Sequence, residues 1–220
     1  MAMALPDPSP AVSPAPGSSD AAQAMMDAGL RLFAEYGVSA VTVRQIAEAA
    51  GQRNHAAVGY HFGSKEALVR AVIAHGAQAI DGLRNAMLDA AEAAGGPDST
   101  IAVIRLVIAS SLPDAAPPWS DCYNRFVVTL QLSHRALFMD ALEGRWNSGY
   151  LRCLAHLRRL MPGRPAGEVN RRLLFMGAAL GGILAARERE LADVSRPHPM
   201  WGDPATLENA ARALAAMLDA

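Results

Sequence analysis

Residues 42–68 read TVRQIAEAAGQRNHAAVGYHFGSKEAL, and this stretch decides the fold of the chain. Thr42 followed by Gln45 is a capping box, which marks the start of a helix, and Gly51 is suited to end that helix. Asn54 is a good N-cap for a second short helix. Two short helices joined by a glycine-containing turn are typical of a helix-turn-helix, in which the second helix enters the major groove of DNA.

The flanking sequence predicts further helices and no strands. Apolar residues at helical spacing indicate a helix from near Asp20 to Tyr36, ending before Gly37. The second helix of the pair is expected over about 54–60, and Ser64 is placed to cap a long helix after it. Further helices are expected over about 98–112, 118–133, 135–161, 166–191 and 204–219. The predicted fold is all-α, with a small three-helix head followed by a larger helical body.

Composition narrows the class of protein. The 220 residues include 20 Lys or Arg and 21 Asp or Glu, so the net charge is −1 and binding of nucleic acid through bulk positive charge is excluded. The two cysteines are too few for a disulfide scaffold, which indicates a reducing compartment. The longest apolar run, 173–186, is shorter than the roughly 18 residues that a membrane span needs. We therefore expect a cytoplasmic protein without a membrane partner.

The residues of 42–68 resemble the TetR family of transcriptional regulators. The resemblance is carried by TVRQIAEAAG at 42–51 and by VGYHFGSKEAL at 58–68, and it extends back through LFAEYG at 32–37. It covers residues 20–70, which we call the head, and it implies a DNA-binding domain. Residues 71–220, which we call the body, resemble the family only in size and helical content, and the resemblance implies a ligand-binding and dimerisation domain there. The proline-rich residues 1–19 are expected to form a disordered tail.

The resemblance implies which side chains of the head meet DNA. Thr42 and Lys65 lie at predicted helix N-termini, where they suit phosphate, and Tyr60 and His61 match the phosphate-contacting pair of the family. Arg44 matches a position that can bind guanine, with a solvated face as the alternative. Tyr60 has the alternative of anchoring the core of the head. The expected recognition surface consists of Arg53, Asn54, His55, Ala56, Ala57 and Gly59.

Two features of the head depart from the family or from typical DNA-binding domains. Between Gly51 and Tyr60 the chain has one residue more than the family spacing, so the register of residues 53–55 against the bases stays open. The head also carries as many acidic as basic residues. A single head should therefore bind DNA weakly, and two heads of a homodimer should be needed on one palindromic operator.

The body is expected to supply a dimer interface and an effector pocket. The interface is predicted on the last two long helices, at Leu173, Met176, Gly177, Leu180, Gly181, Leu184, Leu207, Leu214 and Met217, with packing inside one chain as the alternative. A mostly apolar pocket is predicted at Trp119, Tyr123, Phe126, Val127, Leu130, Gln131, His134, Trp146 and Tyr150, with a plain core as the alternative. The resemblance implies a small-molecule effector that binds in this pocket. Its binding would change the body so that the two heads no longer match the spacing of the operator.

Other functions have weaker support in the sequence. The leading prediction is a ligand-responsive repressor, and an activator or a thiol-based redox regulator through Cys122 and Cys153 remains the alternative within that class. From a different class, the body could be an enzyme or a binding module with a relic head. No nucleophile–base pattern, metal-ligand spacing or phosphate loop is evident, so no catalysis, cofactor or metal is expected.

Overall fold

The computed structural model describes residues 18–112 and 121–220. Every regular element in these two ranges is a helix. The helices are α1 (Ser18–Tyr36), α2 (Val43–Ala49), α3 (Ala57–Phe62), α4 (Lys65–Ala93), α5 (Thr100–Ser111), α6 (Tyr123–Ser133), α7 (Arg135–Leu142), α8 (Ser148–Arg159), α9 (Ala166–Ala192), α10 (Pro199–Gly202) and α11 (Pro204–Asp219). The predicted all-α fold is confirmed.

Helix boundaries in the head follow the predicted capping residues. Gly37 follows α1 with a φ of +77°, a conformation that glycine adopts without strain. The Oγ1 atom of Thr42 accepts the backbone N–H of Gln45 at 3.3 Å, and the Gln45 side chain accepts the backbone N–H of Thr42 at 2.8 Å. Ser64 caps α4 by accepting the N–H of Ala67 at 3.0 Å. The capping box and the fourth helix start are therefore confirmed.

Three predicted boundaries are wrong. The helix α3 starts at Ala57 rather than Asn54. The single helix predicted over 135–161 is two helices, because Glu143 and Gly144 adopt φ values of 50° and 66° that a right-handed helix cannot contain. The first helix begins at Ser18, inside the predicted tail, while residues 1–17 of that tail lie outside the described ranges.

Two apolar cores organise the molecule, and the first joins the head to the body. It combines Met25, Phe33 and Ile46 of the head with Tyr123 and Phe126 of α6. The second core lies wholly within the body, between α4, α5, α8, α9 and α11. The predicted division at residue 70 falls inside α4, which runs from one core into the other, so the head is packed on the body.

Tyr123 enters the first core through a gap left by a glycine. Its hydroxyl donates to the carbonyl of Ile73 at 2.7 Å, and its ring covers Gly76 on α4. A Cβ atom at Gly76 would lie 2.2 Å from Cε2 of Tyr123, which is closer than any real contact. Gly82, two turns later on the same helix, has open space around it.

This difference predicts opposite effects of one substitution at two positions. Gly76→Ala should lower the free energy of unfolding by about 1–3 kcal/mol, because the new methyl group overlaps the Tyr123 ring. Gly82→Ala should leave it unchanged or raise it by up to about 1 kcal/mol, because alanine favours helix. Urea denaturation of both variants measures the difference. Equal stability of the two would contradict the packing described.

Candidate nucleic-acid interface

All but one of the predicted DNA-facing residues are exposed or half-buried. The exposed members are Thr42, Arg44, Arg53, Asn54, His55, Ala56, Gly59 and Tyr60, and the half-buried members are His61 and Lys65. Thr42 and Lys65 stand at the N-termini of α2 and α4, as predicted. Among the described residues, neither Arg53 nor Lys65 forms an ion pair, so both cations are available to a phosphate.

Ala57 is the one predicted contact residue that the structure removes from this surface. Its side chain is only 7% exposed and packs in the first core. The reason is the later start of α3, which turns positions 57 and 58 towards α1 and α4 and positions 59 and 60 outwards. The methyl group of Ala57 therefore supports the fold of the head rather than facing a base.

Tyr60 projects from the head. Its side chain is 84% exposed, so the alternative that it anchors the core is wrong. The edge of its ring meets the ring of His61, with the two centroids 5.0 Å apart and the planes nearly perpendicular. A hydroxyl and an imidazole are thereby presented side by side, while the neighbouring Phe62 packs against the first core. This pair suits hydrogen bonding to phosphate oxygens.

Arg44 is exposed but is held by an acidic neighbour. Its Nε atom donates to Oε1 of Glu48 at 2.8 Å, and this hydrogen bond raises the pKa of Arg44 and lowers the pKa of Glu48. His55 lies 4.0 Å from the same oxygen. Because exposed ion pairs contribute little free energy, a phosphate or a guanine edge can replace Glu48 as the partner of Arg44.

The connection between α2 and α3 contains the one residue by which this chain exceeds the family spacing. Gly51 has a φ of 68° just after the C-terminal end of α2, and residues 53–56 form an exposed connection before α3 begins. Asn54 accepts the N–H of Ala56 at 2.9 Å through its side chain. This bond, between residues two apart, stabilises the turn, so Asn54 orders the connection instead of capping α3 as predicted. Arg53 and His55 are thus presented by an ordered turn.

The head is attached to the body by ionic contacts around the shared core. The Nη1 atom of Arg125 on α6 lies 3.2 Å from Oε2 of Glu35 on α1. The ring of Phe126, the next residue, stacks on Phe33 with centroids 6.1 Å apart. Arg70 of α4 also pairs with Asp140 of α7. A displacement of α6 would therefore move α1 with it.

Glu188 of α9 fixes the N-terminal end of α6. Its Oε1 atom accepts the backbone N–H of Asn124 at 3.0 Å and the Asn124 side chain at 2.8 Å, and its Oε2 atom accepts the N–H of Arg125 at 2.6 Å. Burial raises the pKa of Glu188, while these three donors oppose the rise. The carboxylate thus satisfies the orphan N–H groups of α6 and ties α9 to the helix that contacts the head.

Comparison with known families identifies this domain. The family model of the bacterial regulatory proteins of the tetR family matches residues 25–72, which contain α2, α3 and every predicted DNA-facing residue. The N-terminal domain of this chain is a TetR-family domain.

Solved structures resemble the whole chain as well as the TetR-family domain. A TetR-family regulator structure from Rhodococcus sp. has a TM-score of 0.54 at 17% identity, with 91% of this chain and 97% of that chain covered. One from Shewanella sp. PV-4 has a TM-score of 0.57 at 14% identity, covering 89% and 96%. The fatty acid degradation regulator FadR from Bacillus halodurans has a TM-score of 0.55 at 14% identity, covering 89% and 96%. At these identities the likeness shows the fold, and a comparison with curated proteins returns no match.

In the body of this TetR-type fold, the described residues of the predicted pocket are divided between the two cores and the surface. Tyr123, Phe126 and Leu130 are buried in the first core, and Val127 and Trp146 pack against it. Gln131 and His134 are half-buried, and His134 contacts Ser39 of the head at 3.1 Å. Tyr150 packs against the second core, and Trp119 lies outside the described residues. Tyr123, Phe126 and Leu130 are therefore core residues, and the pocket itself stays a prediction.

Two cavities border the shared core. One of about 10 Å³ lies between α1, α4 and Tyr123, and it has room for about one water molecule. The other, of about 310 Å³, is an open cleft between Arg31 and Tyr36 of α1, Cys122 and Arg125 near the start of α6, and Ala192. The small cavity shares only Tyr123 with the predicted pocket, and the cleft shares none of its residues.

Most predicted dimer residues pack inside the chain. Leu173, Met176, Leu180, Leu184 and Leu214 are buried in the second core, and Leu207 packs against it. A Cβ atom at Gly177 would lie 3.2 Å from the Tyr150 hydroxyl, and one at Gly181 would lie 3.1 Å from Val128. The two glycines do allow a close approach, but the neighbours are α8 and α6 of the same chain. Of the predicted set, only Met217 is exposed.

Another face of α9 is apolar and exposed. Leu174 and Phe175 are 67% and 57% exposed, and Ala178 and Gly182 continue the same face along the helix. By length and composition α9 is the one described helix that could cross a membrane, and 28% of its most apolar window is buried in the fold. The sequence pattern did not separate this face from the buried one, because α9 is apolar on both sides.

The remaining sequence candidates are the two cysteines. Cys122 and Cys153 are reduced and buried, and burial raises the pKa of Cys122 to about 12 and that of Cys153 to about 11. Both are therefore protonated thiols near neutral pH, which disfavours the redox alternative. Within residues 18–112 and 121–220, no group of three His, Cys, Asp or Glu residues could hold a metal ion.

The exposure of Tyr60 predicts a loss of DNA binding without a loss of stability. Tyr60→Ala should weaken binding to an operator by about tenfold, since one or two phosphate contacts disappear, while the melting temperature is unchanged. Tyr36→Ala is the matched control, because Tyr36 is also an exposed tyrosine of the head but lies beside α6. Fluorescence anisotropy measures both variants. Equal losses for the two would remove Tyr60 from the interface.

Proposed function

We propose that this protein is a cytoplasmic, homodimeric transcriptional repressor, which leaves a palindromic operator when a small effector binds in the body. The observation that carries the proposal is the exposed surface of the TetR-family domain, in which Tyr60 and His61 stand beside the N-terminus of α4. A helix N-terminus with neighbouring hydroxyl, imidazole and ammonium groups is suited to phosphate. The recognition surface then consists of Arg44 and the turn at residues 53–56, together with Gly59.

The charges of the head support binding as a pair. Arg44 is paired with Glu48, and Arg70 is paired with Glu66 and Asp140, so two of the basic residues are neutralised locally. One such head can neutralise few phosphates. A small number of phosphate contacts lowers both the affinity for DNA and the dependence of that affinity on salt. Two heads held about 34–36 Å apart on successive turns of DNA supply the missing affinity.

The exposed face of α9 is the surface we assign to dimerisation. Leu174, Phe175, Ala178 and Gly182 form a strip in which small residues permit close helix approach, and Met217 of α11 lies on the exposed side of the adjacent helix. A second copy suits this face better than lipid, because the opposite side of α9 holds Glu188 in hydrogen bonds with α6. An isologous two-fold pairing would also give the palindromic symmetry of the operator.

Release from DNA follows from the connections between body and head. The first core contains residues of α1 and of α6, and the Arg125–Glu35 pair and the Glu188 hydrogen bonds extend this contact to α9. An effector that favours a different position of α6 would rotate each head on the body. Both heads then no longer match the operator at once, and the affinity falls.

The dimer proposal predicts the effect of charge on the exposed face. Leu174→Glu combined with Phe175→Glu should give monomers in sedimentation experiments and should abolish operator binding at moderate salt, because carboxylates cannot be buried between helices unpaired. Leu132→Glu is the control, because Leu132 of α6 is 85% exposed but lies on another helix. Dimers of the double variant would place the interface elsewhere.

The function itself is tested by capture of fragmented DNA from the source genome on the purified protein at two salt concentrations. We expect a few palindromic sequences that survive the higher salt and that Tyr60→Ala fails to retain. Uniform binding that vanishes with salt, after refolding without ligand, would mean that the head is a relic and would overturn the proposal.

A further inference from the structure

The second core is bordered by one buried arginine that forms no ion pair with a carboxylate among residues 18–112 and 121–220. Arg84, in the middle of α4, is 7% exposed. Its Nε atom donates to the Ser110 hydroxyl at 2.9 Å, and its Nη2 atom donates to the Ser111 hydroxyl at 2.9 Å. Both hydroxyls are neutral, and both donate in turn to the carbonyl of Val107. Buried charges are normally paired, so this arrangement is costly to the fold.

The nearest acidic residue is already occupied. Asp81 lies one turn before Arg84 on α4, and its Oδ1 atom accepts the N–H of Gly149 at 2.7 Å. Its Oδ2 atom accepts the Ser148 hydroxyl at 2.7 Å and the Asn85 amide at 3.2 Å. Asp81 thus caps the start of α8, and no ion pair joins it or any other described carboxylate to Arg84.

The other walls around Arg84 are apolar or aromatic. The carbon of its guanidinium lies 5.7 Å from the centre of the Tyr150 ring, and its aliphatic stem lies against Gly149. The thiol of Cys153 is fully buried nearby, and burial lowers the pKa of Arg84, although an arginine keeps its charge at neutral pH. A cation in such surroundings favours a ligand that brings an anion and a hydrophobic body.

We propose that Arg84 is the anchor of the effector site and that the effector is an apolar molecule bearing a carboxylate. This inference rests on the proposed function, and it names the chemical class of its effector. The planar guanidinium can hold a carboxylate through two parallel hydrogen bonds, in place of the two serine hydroxyls. The ring of Tyr150 and the apolar residues between α5 and α8 then cover the hydrophobic part, after these two helices separate.

The serines also connect this site to the head. The carbonyl of Ser111 accepts the side chain of Asn124 at 3.2 Å, and the same side chain is bound by Glu188. The next residue, Arg125, pairs with Glu35 of α1. A carboxylate that takes Arg84 from Ser111 therefore acts on the end of α5 that contacts the start of α6.

The test uses full-length protein with probes that differ only in the anionic group. Hexanoate and phenylacetate are compared with hexanol and phenylethanol by calorimetry and thermal shift. We expect the wild-type protein to bind at least one carboxylate about tenfold more tightly than its alcohol. Arg84→Met should keep the fold and melt at the same or a higher temperature, because it removes an unmatched buried charge, and it should lose the preference. Arg105→Met, which removes an exposed arginine of α5, should keep it.

A second variant tests the inference even if Arg84→Met fails to fold, because it should strengthen carboxylate binding instead of weakening it. Ser110→Ala combined with Ser111→Ala removes the competing hydroxyls, so carboxylate binding should become tighter by about threefold or more. Equal binding of carboxylates and alcohols by the wild type, no binding of either carboxylate, or weaker binding by the serine variant would overturn the inference. Carboxylate binding that leaves operator affinity unchanged would retain the site and remove effector release from the proposed function.

Discussion

The packing of α6 into the core of the head is the constraint on which the rest of the structure depends. Phe33 and Ile46 come from the head, and Tyr123 and Phe126 come from α6, yet they belong to one continuous apolar cluster. Neither side can bury its apolar surface without the other, since burial of this size is the main stabilising term of a small domain. The predicted DNA-facing surface is therefore held in position by the body. A movement of α6 would be transmitted to it directly through the shared core.

The same constraint explains why a buried carboxylate lies on α9. Glu188 holds the first N–H groups of α6, so the position of α6 is set from α9 on one side and from α1 on the other. Because α9 also carries the exposed face of Leu174 and Phe175, one helix links the proposed partner surface to the head. Arg84 is also connected to α6, because it donates to the Ser111 hydroxyl and the Ser111 carbonyl accepts the side chain of Asn124. Glu188 and, through Ser111, Arg84 are thus both connected to Asn124 at the start of α6.

Local sequence rules predicted the head well because its helix boundaries depend on neighbouring residues. Thr42 with Gln45, Gly37, and Ser64 act within a few positions, and the structure confirms each of them. The break at Glu143 is not predicted because glutamate is a good helix former, whereas in the structure it ends α7 at a positive φ with its N–H bonded to the carbonyl of Asp140. The start of α3 was placed too early because the side chain of Asn54 stabilises either a cap or a turn.

The body was harder to predict because spacing does not say which neighbour covers an apolar face. Leu173 and Leu174 are adjacent leucines, yet one packs in the second core and the other is exposed. A lone arginine in an amphipathic helix is normally a surface residue, so Arg84 gave no signal before Ser110 and Ser111 were seen beside it. Its burial becomes visible only when α4, α5 and α8 are packed together.

The neutral head gives a physical reason why a small movement of α6 would be enough for regulation. With Arg44 and Arg70 held by acidic neighbours, each head of the proposed dimer would make few phosphate contacts, and affinity would depend on both heads binding the same operator. The second head then binds at the high effective concentration set by the dimer, and that advantage is lost once the spacing no longer fits. A strongly basic head would bind DNA tightly by itself, so one head would stay bound after the other head was released. In the proposed dimer, weak binding by each head would therefore make the operator complex sensitive to the geometry of the body.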